Sequence, residues 1–260
     1  MIPYPRIDPE IIRIGPVAVR WYGLMYLLGF AASYLLVKYQ IRKKGLQLGK
    51  DAVESLYSYL ILGLLIGARL GYVVFYNLSH YAHHPLEIFA VWQGGMSFHG
   101  GLIGSVLAGF LFCKKYRFDF WQLADLVIVT APIGLGFGRI ANFINAELYG
   151  RPADVPWAMV FPGGGPLPRH PSQLYEFFLE GGVLFAILWI AKDKIAKTGI
   201  LTGLFLLCYG IFRFFVEFFR EPDPQLGFVL GIFTMGQILS WFMVFVGLGI
   251  ISIRRKRQAG

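Results

Sequence analysis

The segment WQLADLVIVTAPIGLGFGRIANFINAELYG, residues 121–150, joins a long apolar stretch to a polar end. Its apolar part, Trp121 to Arg139, is long enough to cross a bilayer core of about 30 Å as a helix. An arginine, two asparagines and a glutamate occupy the end of the segment. Such groups are costly in hydrocarbon and are kept there mainly for function. The segment therefore predicts a membrane-spanning helix that carries part of a functional site.

The rest of the chain has the composition of a membrane protein with several spans. Of its 260 residues, 56% are hydrophobic, and the mean hydropathy is +0.58. The apolar windows of membrane-spanning length are Trp21 to Val37, Ala52 to Tyr76, Gly94 to Cys113, Trp121 to Arg139, Leu174 to Ala191, Gly199 to Phe219 and Phe228 to Ile253. We therefore expect an all-α, polytopic membrane protein with about seven transmembrane helices.

The positive charges give the orientation of these spans. The formal net charge is +9, and lysine and arginine gather in short loops after alternate spans. These loops are Lys38 to Lys50, Lys114 to Arg117, Lys192 to Lys197 and Arg254 to Arg257. Cationic loops mark the cytoplasmic side, so the N-terminus is predicted outside and the C-terminus inside. This distribution explains the basic charge without a nucleic acid partner.

The chain is expected to form one integral-membrane domain over residues 1–260, because no linker, low-complexity tract or fixed-period repeat divides it. Its longest outer segment is Ala141 to Pro171, which predicts a small extracytoplasmic loop region. Glycines recur at Gly63, Gly67 and Gly71, a spacing that favours close packing of helices in lipid.

Polar residues of five spans are predicted to lie at one depth. At about 1.5 Å per residue of helix, they lie roughly 20–27 Å from the cytoplasmic ends of their spans. These residues are Tyr22, Arg69, His99, Arg139 and Arg213. One polar cavity in the outer leaflet is the simplest explanation.

A polar stripe on the sixth span raises the question of what neutralises these arginines. Tyr209, Arg213, Glu217 and Arg220 fall on one helix face. One reading is that Arg213 and Glu217 simply pair at i,i+4. The other reading also counts Arg139 and Arg69, whose charges leave a positive excess over Glu147 and Glu217. A positive excess predicts an anionic ligand, namely a phospholipid head group.

Two histidine patterns have alternative readings. His99, flanked by glycines in a span, is either a general base or a ring held by a backbone carbonyl, and the residues alone favour neither. His80, His83 and His84 have a spacing that a metal could use, but they lie beside Pro85 with no matching cysteine or carboxylate cluster. We therefore expect no metal site.

These motifs resemble those of the bacterial phosphatidylglycerol–prolipoprotein diacylglyceryl transferase family. Gly138-Arg139-x-x-Asn142-Phe143-x-Asn145-x-Glu147-x-x-Gly150 matches the family signature position by position. The resemblance also covers Trp21 to Tyr26, His99 to Leu102, Arg169 to Glu176, and Tyr209 to Arg220. It extends over nearly the whole chain.

The resemblance implies a transferase of lipoprotein biosynthesis. The diacylglyceryl group of phosphatidylglycerol would move to the lipobox cysteine thiol of a preprolipoprotein, forming a thioether and releasing glycerol phosphate. It implies a multi-pass protein of the bacterial cytoplasmic (inner) membrane, surrounded by membrane lipids, with its active site facing the extracytoplasmic side. No metal or organic cofactor is expected.

The resemblance also assigns residues to the site. The expected catalytic residues are His99, Arg139, Glu147, Arg213 and Glu217. The expected substrate-binding residues are Tyr22, Arg69, Asn142, Asn145, Gly150, Tyr209 and Arg220. Arg139 and Arg213 would hold the phosphate, and Glu147 and Glu217 would orient these arginines. His99 or a glutamate would take the thiol proton.

Two other functions would also place arginines at a membrane cavity. A transporter or flippase for an anionic lipid should have its site near the midplane between repeats, and the sequence has neither internal symmetry nor midplane charge. A noncatalytic lipid-binding or assembly factor would need Arg139 for affinity only.

Overall fold

The computed structural model describes residues 2–15, 17–222, 228–229 and 232–256. The chain divides into two compact units. The first consists of Met1–Val37 and Asp125–Gly260, and the second of Lys38–Ala124.

Helices dominate both units. They are α1 (Trp21–Lys43), α2 (Lys50–Tyr76), α3 (Leu78–His83), α4 (Phe98–Tyr116), α5 (Phe120–Ile128), α6 (Ala131–Ile144), α7 (Ser172–Glu176), α8 (Leu184–Ala191), α9 (Ile200–Val216) and α10 (Met235–Lys256). A π-helical stretch, Phe177–Val183, joins α7 to α8, and 3-10 turns span Pro85–Phe89 and Val91–Gln93.

The helices agree with a membrane protein but leave the number of spans a prediction. In the described part of the chain, four helices are long and apolar enough to cross a bilayer: Trp21–Lys43, Asp51–Tyr76, Ser172–Ala191 and Met235–Lys256. The pair α5 and α6 adds a fifth if it forms one span, and Ile200–Val216 is a shorter apolar helix. Seven spans and the orientation remain predictions.

Two helices begin several residues later than the predicted spans. The third begins at Phe98 rather than Gly94, where the Ser97 side chain accepts a hydrogen bond from the Gly100 amide at 3.2 Å and caps the helix. The last begins at Met235, because Phe228–Val229 and Phe233–Thr234 form a short antiparallel hairpin. Residues 230–231 and Arg257 fall outside the described residues.

Two short strand pairs accompany the helices and leave the expected all-α class unchanged. Besides that second hairpin, Glu10–Ile14 and Val17–Arg20 pair in antiparallel fashion immediately before α1. The two-stranded pairs are small, so the mainly helical class stands.

The fourth predicted span is broken rather than continuous. The axes of α5 and α6 are bent by 40°. Pro132 lies in the first turn of α6 and lacks an amide hydrogen, while the Thr130 hydroxyl donates to the Val127 carbonyl at 2.7 Å. Both features interrupt the regular helical hydrogen-bond ladder and account for the bend.

Glycines bring helices together as their spacing predicts. In the second unit, Gly63, Gly67 and Gly71 on α2 face Gly100 and Gly104 on α4 so closely that an added side-chain carbon would collide with the opposite backbone. Backbones can approach this closely only where side chains are missing. The prediction of close helix packing is confirmed.

Candidate active site

Five charged side chains of the first unit meet in an ion-pair cluster. Arg139 comes from α6 and Arg213 from α9, and Glu217 directly follows α9. Glu176 is the last residue of α7, and Glu180 belongs to the π-helical stretch. We call these five residues the arginine–glutamate cluster. Three separate parts of the chain therefore build one charged centre.

Close packing of α6 against the π-helical stretch brings the first arginine into the cluster. Gly136 and Gly181 face each other, and a side-chain carbon on Gly181 would lie 2.9 Å from the Gly136 Cα. Arg139 follows Gly136 by one helical turn. Its Nε lies 2.5 Å from Glu176 Oε2, and its Nη2 lies 3.5 Å from Glu180 Oε2.

The second arginine shares the same carboxylates and adds a third. Arg213 Nη1 lies 3.3 Å from Glu176 Oε2 and 3.9 Å from Glu180 Oε1. Its Nη2 lies 2.7 Å from Glu217 Oε2, one turn further along the same face. Glu217 Oε1 also accepts a hydrogen bond from the Thr234 hydroxyl at 3.1 Å. The expected pair of Arg213 and Glu217 is thus one part of a larger network.

The charges of the cluster correct the expected excess of positive charge. Its three carboxylate side chains are at most 4% exposed, whereas those of Arg139 and Arg213 are 19% and 11% exposed. Two guanidinium groups therefore face three buried carboxyl groups. The prediction of excess positive charge was wrong because Glu176 and Glu180 were not counted. Their i,i+4 spacing within an apolar span could have identified both glutamates as site residues.

One buried donor of the cluster contacts its carboxylates only through ion pairs. Arg213 Nη1 is buried and makes no hydrogen bond with suitable geometry to any residue that the structure describes. Its contacts with Glu176 and Glu180 are ion pairs at longer distance. A buried donor without any polar partner costs about 1–3 kcal/mol, and the two nearby carboxylates spare this guanidinium that situation.

Glu147 has a different contact from the one expected. Its Oε1 accepts a hydrogen bond from Asn142 Nδ2 at 2.7 Å, and the same amide nitrogen lies 3.4 Å from the Tyr22 hydroxyl. Among the ion pairs of the described residues, none joins Glu147 to an arginine. The expectation that Glu147 orients the arginines is therefore not met, and the structure instead joins Tyr22, Asn142 and Glu147 in one chain of contacts.

The loop after α6 is fixed by the start of α7. Ala146 and Leu148 adopt positive φ angles of 55° and 56°. The Ser172 hydroxyl donates to the Leu148 carbonyl at 3.1 Å, and Gln173 Nε2 donates to the Glu147 carbonyl at 2.7 Å. These hydrogen bonds stabilise the left-handed backbone conformation of this loop, which residues other than glycine rarely adopt. Asn145 ends α6, where its amide donates to the Ala141 carbonyl at 3.0 Å.

Gly150 and Arg220 meet through their backbones. They form an isolated antiparallel bridge, and the Gly150 amide donates to the His170 carbonyl at 2.8 Å. A side-chain carbon on Gly150 would lie 2.7 Å from the His170 Cβ, so only glycine fits there.

Tyr209 lies one turn before Arg213 on α9 and stacks on Phe205.

The structure does not support Arg69 as a phosphate ligand. This residue of the second unit is 4% exposed and donates to the carbonyls of Glu87, Ile88 and Gly94 at 2.6–2.7 Å. Its guanidinium also lies 5.1 Å from the centre of the Tyr81 ring. With its donors directed at the chain, Arg69 anchors the loop between α3 and α4.

His99 lies in the first turn of α4, also in the second unit, and it is exposed. Its ring contacts Phe98, with centroids 5.6 Å apart. No hydrogen bond from the ring to a carbonyl is present among the described residues, so the alternative of a ring held by the backbone gains no support. The role of a base remains a prediction.

An apolar cavity of about 400 Å³ adjoins α7. Its lining includes Trp157, His170, Tyr175, Phe178 and Phe219. The Trp157 indole donates to the Tyr175 hydroxyl at 2.6 Å, and that hydroxyl lies 3.0 Å from His170 Nδ1. An indole nitrogen only donates, so the hydroxyl hydrogen is placed to reach the imidazole.

The environment of His170 predicts a pH dependence of stability. Burial lowers the pKa of His170, so the folded protein binds a proton there less readily than the unfolded chain does. The contribution of neutral His170 to the free energy of unfolding is therefore present above the ordinary pKa of about 6.5. This contribution is lost as the pH falls below that value. We expect the apparent melting temperature to fall more between about pH 7.5 and pH 5.5 in the wild type than in His170→Asn. An equal fall in both proteins would contradict this.

Comparisons with known proteins identify the family of the chain. The family model described as prolipoprotein diacylglyceryl transferase matches residues 9–253. The phosphatidylglycerol–prolipoprotein diacylglyceryl transferase of Geobacter sulfurreducens is 52% identical over 257 residues, covering 99% of each chain. The protein of the same name from Desulfotalea psychrophila is 54% identical over 263 residues, covering 98% of this chain and 97% of its own. The chain belongs to the prolipoprotein diacylglyceryl transferase family.

Proposed function

We propose that this chain transfers the diacylglyceryl group of phosphatidylglycerol to the lipobox cysteine of a preprolipoprotein. The thiolate sulfur attacks the glyceryl carbon, a carbon–sulfur bond forms, and the carbon–oxygen bond to phosphate breaks. Glycerol phosphate leaves with the bonding electrons, and the thiol proton passes to a base. The observation that carries the proposal, beside family membership, is the convergence of Arg139 and Arg213 from different helices on one buried centre.

The two arginines suit a leaving phosphate. Charge develops on the departing oxygen, and guanidinium donors that are already oriented stabilise it without reorganisation. Glu176 contacts both Arg139 and Arg213, so it fixes their relative position before substrate arrives. The side chains of Arg139 and Arg213 stay 19% and 11% exposed, and we assign their exposed donors to the phosphate oxygens.

The proton of the thiol has two candidate acceptors. A free thiol has a pKa of about 8.5, so a base is needed at neutral pH. His99 is one candidate. The arginine–glutamate cluster is the other, because it holds three carboxyl groups against two guanidinium groups and can accept a proton without leaving unpaired positive charge.

A pH profile separates these candidates. If His99 is the base, His99→Gln should depress turnover more at low pH than at high pH, where thiolate forms unaided. Transfer rates of wild type and variant are measured across the range, with His83→Gln as the control imidazole. An unchanged profile would assign His99 an architectural role and favour a carboxylate of the cluster.

The remaining residues are proposed to position the substrates. Tyr22 and Asn142 share hydrogen-bonding contacts at the end of α6 and would bind the glycerol head group. Tyr209 precedes Arg213 by one turn and would act beside it. Asn145, Gly150 and Arg220 would shape the loop over the site. Arg69 is left out of this set because its donors are directed at backbone carbonyls.

We place the protein in the bacterial cytoplasmic membrane as a multi-pass protein with the active site towards the extracytoplasmic side. The cationic loops support this orientation, since they follow alternate predicted spans. Phosphatidylglycerol and the signal peptide of the preprolipoprotein would then reach the site from the membrane and its outer face.

One assay tests the proposal against its rivals. Purified protein in detergent is incubated with labelled phosphatidylglycerol and a lipobox peptide, and lipidated peptide and glycerol phosphate are both measured. We expect equal amounts of the two products, and none with a peptide whose cysteine is replaced by serine. Lipid binding without either product would indicate a noncatalytic factor. Movement of lipid between the leaflets of vesicles, again without product, would indicate a flippase.

A further inference from the structure

Three side chains of metal-binding type lie together between α2 and α4. His80 belongs to α3, His84 ends it, and Glu87 lies in the following 3-10 turn. Their ligand atoms all lie within 4.8 Å of one another. From the sequence no carboxylate was matched to these histidines, and in the fold Glu87 supplies one. All three residues belong to the second unit.

The geometry of the two imidazoles suits a metal. His80 Nε2 lies 2.8 Å from Glu87 Oε2, and the rings of His80 and His84 stack with centroids 4.8 Å apart. His84 Nδ1 lies 3.2 Å from the His80 carbonyl, so this nitrogen carries the hydrogen and leaves the lone pair on Nε2. A second ring nitrogen tied to a carbonyl is the usual support of a metal-binding histidine.

The backbone beneath these residues is held firmly while their side chains stay accessible. Arg69 binds the Glu87 and Ile88 carbonyls at 2.6 Å and 2.7 Å, which ties the turn to α2. The side chains of His80 and Glu87 are 42% and 43% exposed.

We propose that His80, His84 and Glu87 bind one divalent transition metal ion of the zinc type. Two imidazole nitrogens and one carboxylate oxygen are a ligand set that zinc prefers, and the exposed side leaves its fourth position to water. Zinc bonds of about 2.0–2.1 Å place tetrahedral ligands roughly 3.4 Å apart. Small rotations of exposed side chains bring the three ligand atoms to that spacing. The metal replaces the proton between His80 and Glu87 and joins α3 to the turn.

The neighbouring His83 provides a matched control. Its Nδ1 lies 2.8 Å from the Ser79 carbonyl, and its ring is not part of the converging group. The test uses untagged full-length protein in detergent, freed of metal with a chelator and titrated with Zn²⁺ by calorimetry. We expect one saturable equivalent. His80→Ala, His84→Ala and Glu87→Gln should each weaken binding at least about tenfold, and His83→Ala should not.

Substitution of Co²⁺ gives a spectroscopic readout of the same site. We expect visible d–d absorption typical of tetrahedral nitrogen and oxygen ligation in wild type and His83→Ala, and its loss in His84→Ala. Absence of saturable Zn²⁺ binding would overturn the proposal. Equal loss of binding in His83→Ala and His84→Ala would also overturn it. The ion would then be bound non-specifically by the histidines and not by the three converging ligands. Transfer activity is not needed for either readout.

Discussion

Replacing Arg139 with alanine is expected to abolish diacylglyceryl transfer. The substitution removes one of the two guanidinium groups that would stabilise the leaving phosphate. Loss of one oriented donor of this kind lowers turnover about 100- to 1000-fold. The measurement is the rate of lipidated peptide formation by purified protein, with the exposed Arg13→Ala as control. Near-normal turnover of Arg139→Ala would remove this residue from the active site.

The same substitution should also weaken the fold, and the two effects can be separated. Arg139 pairs with Glu176 and Glu180, whose side chains are 1% and 0% exposed. Removing one partner of a buried pair costs about 3–5 kcal/mol. Arg139→Lys keeps the charge but not the planar fork, so it should stay folded and still lose most activity. Adding Glu180→Gln to Arg139→Ala should recover stability without recovering transfer.

Glu176→Gln is expected to show the second-largest effect. The Glu176 carboxylate is the contact that Arg139 and Arg213 share, at 2.5 Å and 3.3 Å. A neutral amide of the same shape loses the charge that holds both guanidinium groups in position. A hydrogen bond to a charged group contributes about 1.5–3 kcal/mol, so turnover should fall about 10- to 100-fold.

The design of this test distinguishes positioning from simple destabilisation. Glu54→Gln, at an exposed carboxylate of α2, is the matched control. Glu180→Gln should have a smaller effect on kcat than Glu176→Gln, because its contacts with the arginines are longer, at 3.5 Å and 3.9 Å. If Glu176→Gln lowered the melting temperature but left kcat and KM unchanged, Glu176 would have no part in positioning the arginines.

Hydropathy identified the helices well and their ends less well. Each predicted span overlaps a helix or a run of consecutive helical segments, because an apolar run of this length can be recognised along the chain. The break at Thr130 and the late start at Met235 were not predicted. Both depend on local hydrogen bonding, to Val127 in one case and within the β-hairpin in the other, and hydropathy averages over such detail.

The site residues show where depth alone is insufficient. Arg69 and Arg139 were predicted at similar depth and were both placed in the site, Arg69 as a substrate-binding and Arg139 as a catalytic residue. In the fold, Arg69 binds backbone carbonyls of a loop, whereas Arg139 joins buried carboxylates. Depth follows from counting residues along a span. The direction in which a side chain points depends on how the helix is rotated against its neighbours, and that is a property of packing.

The amino-acid sequence by itself determined the class of this protein, its family and the residues that carry its signature. Class, family and signature residues follow from the length of apolar runs and from motifs, and both can be recognised in the order of residues along the chain. Tertiary structure alone decided which groups face each other: Glu176 and Glu180 with Arg139 and Arg213, and Glu147 with Asn142. Ion pairs form within a few ångströms across separate helices, so their partners are set only when glycine contacts such as Gly136 with Gly181 fix how closely the helices approach.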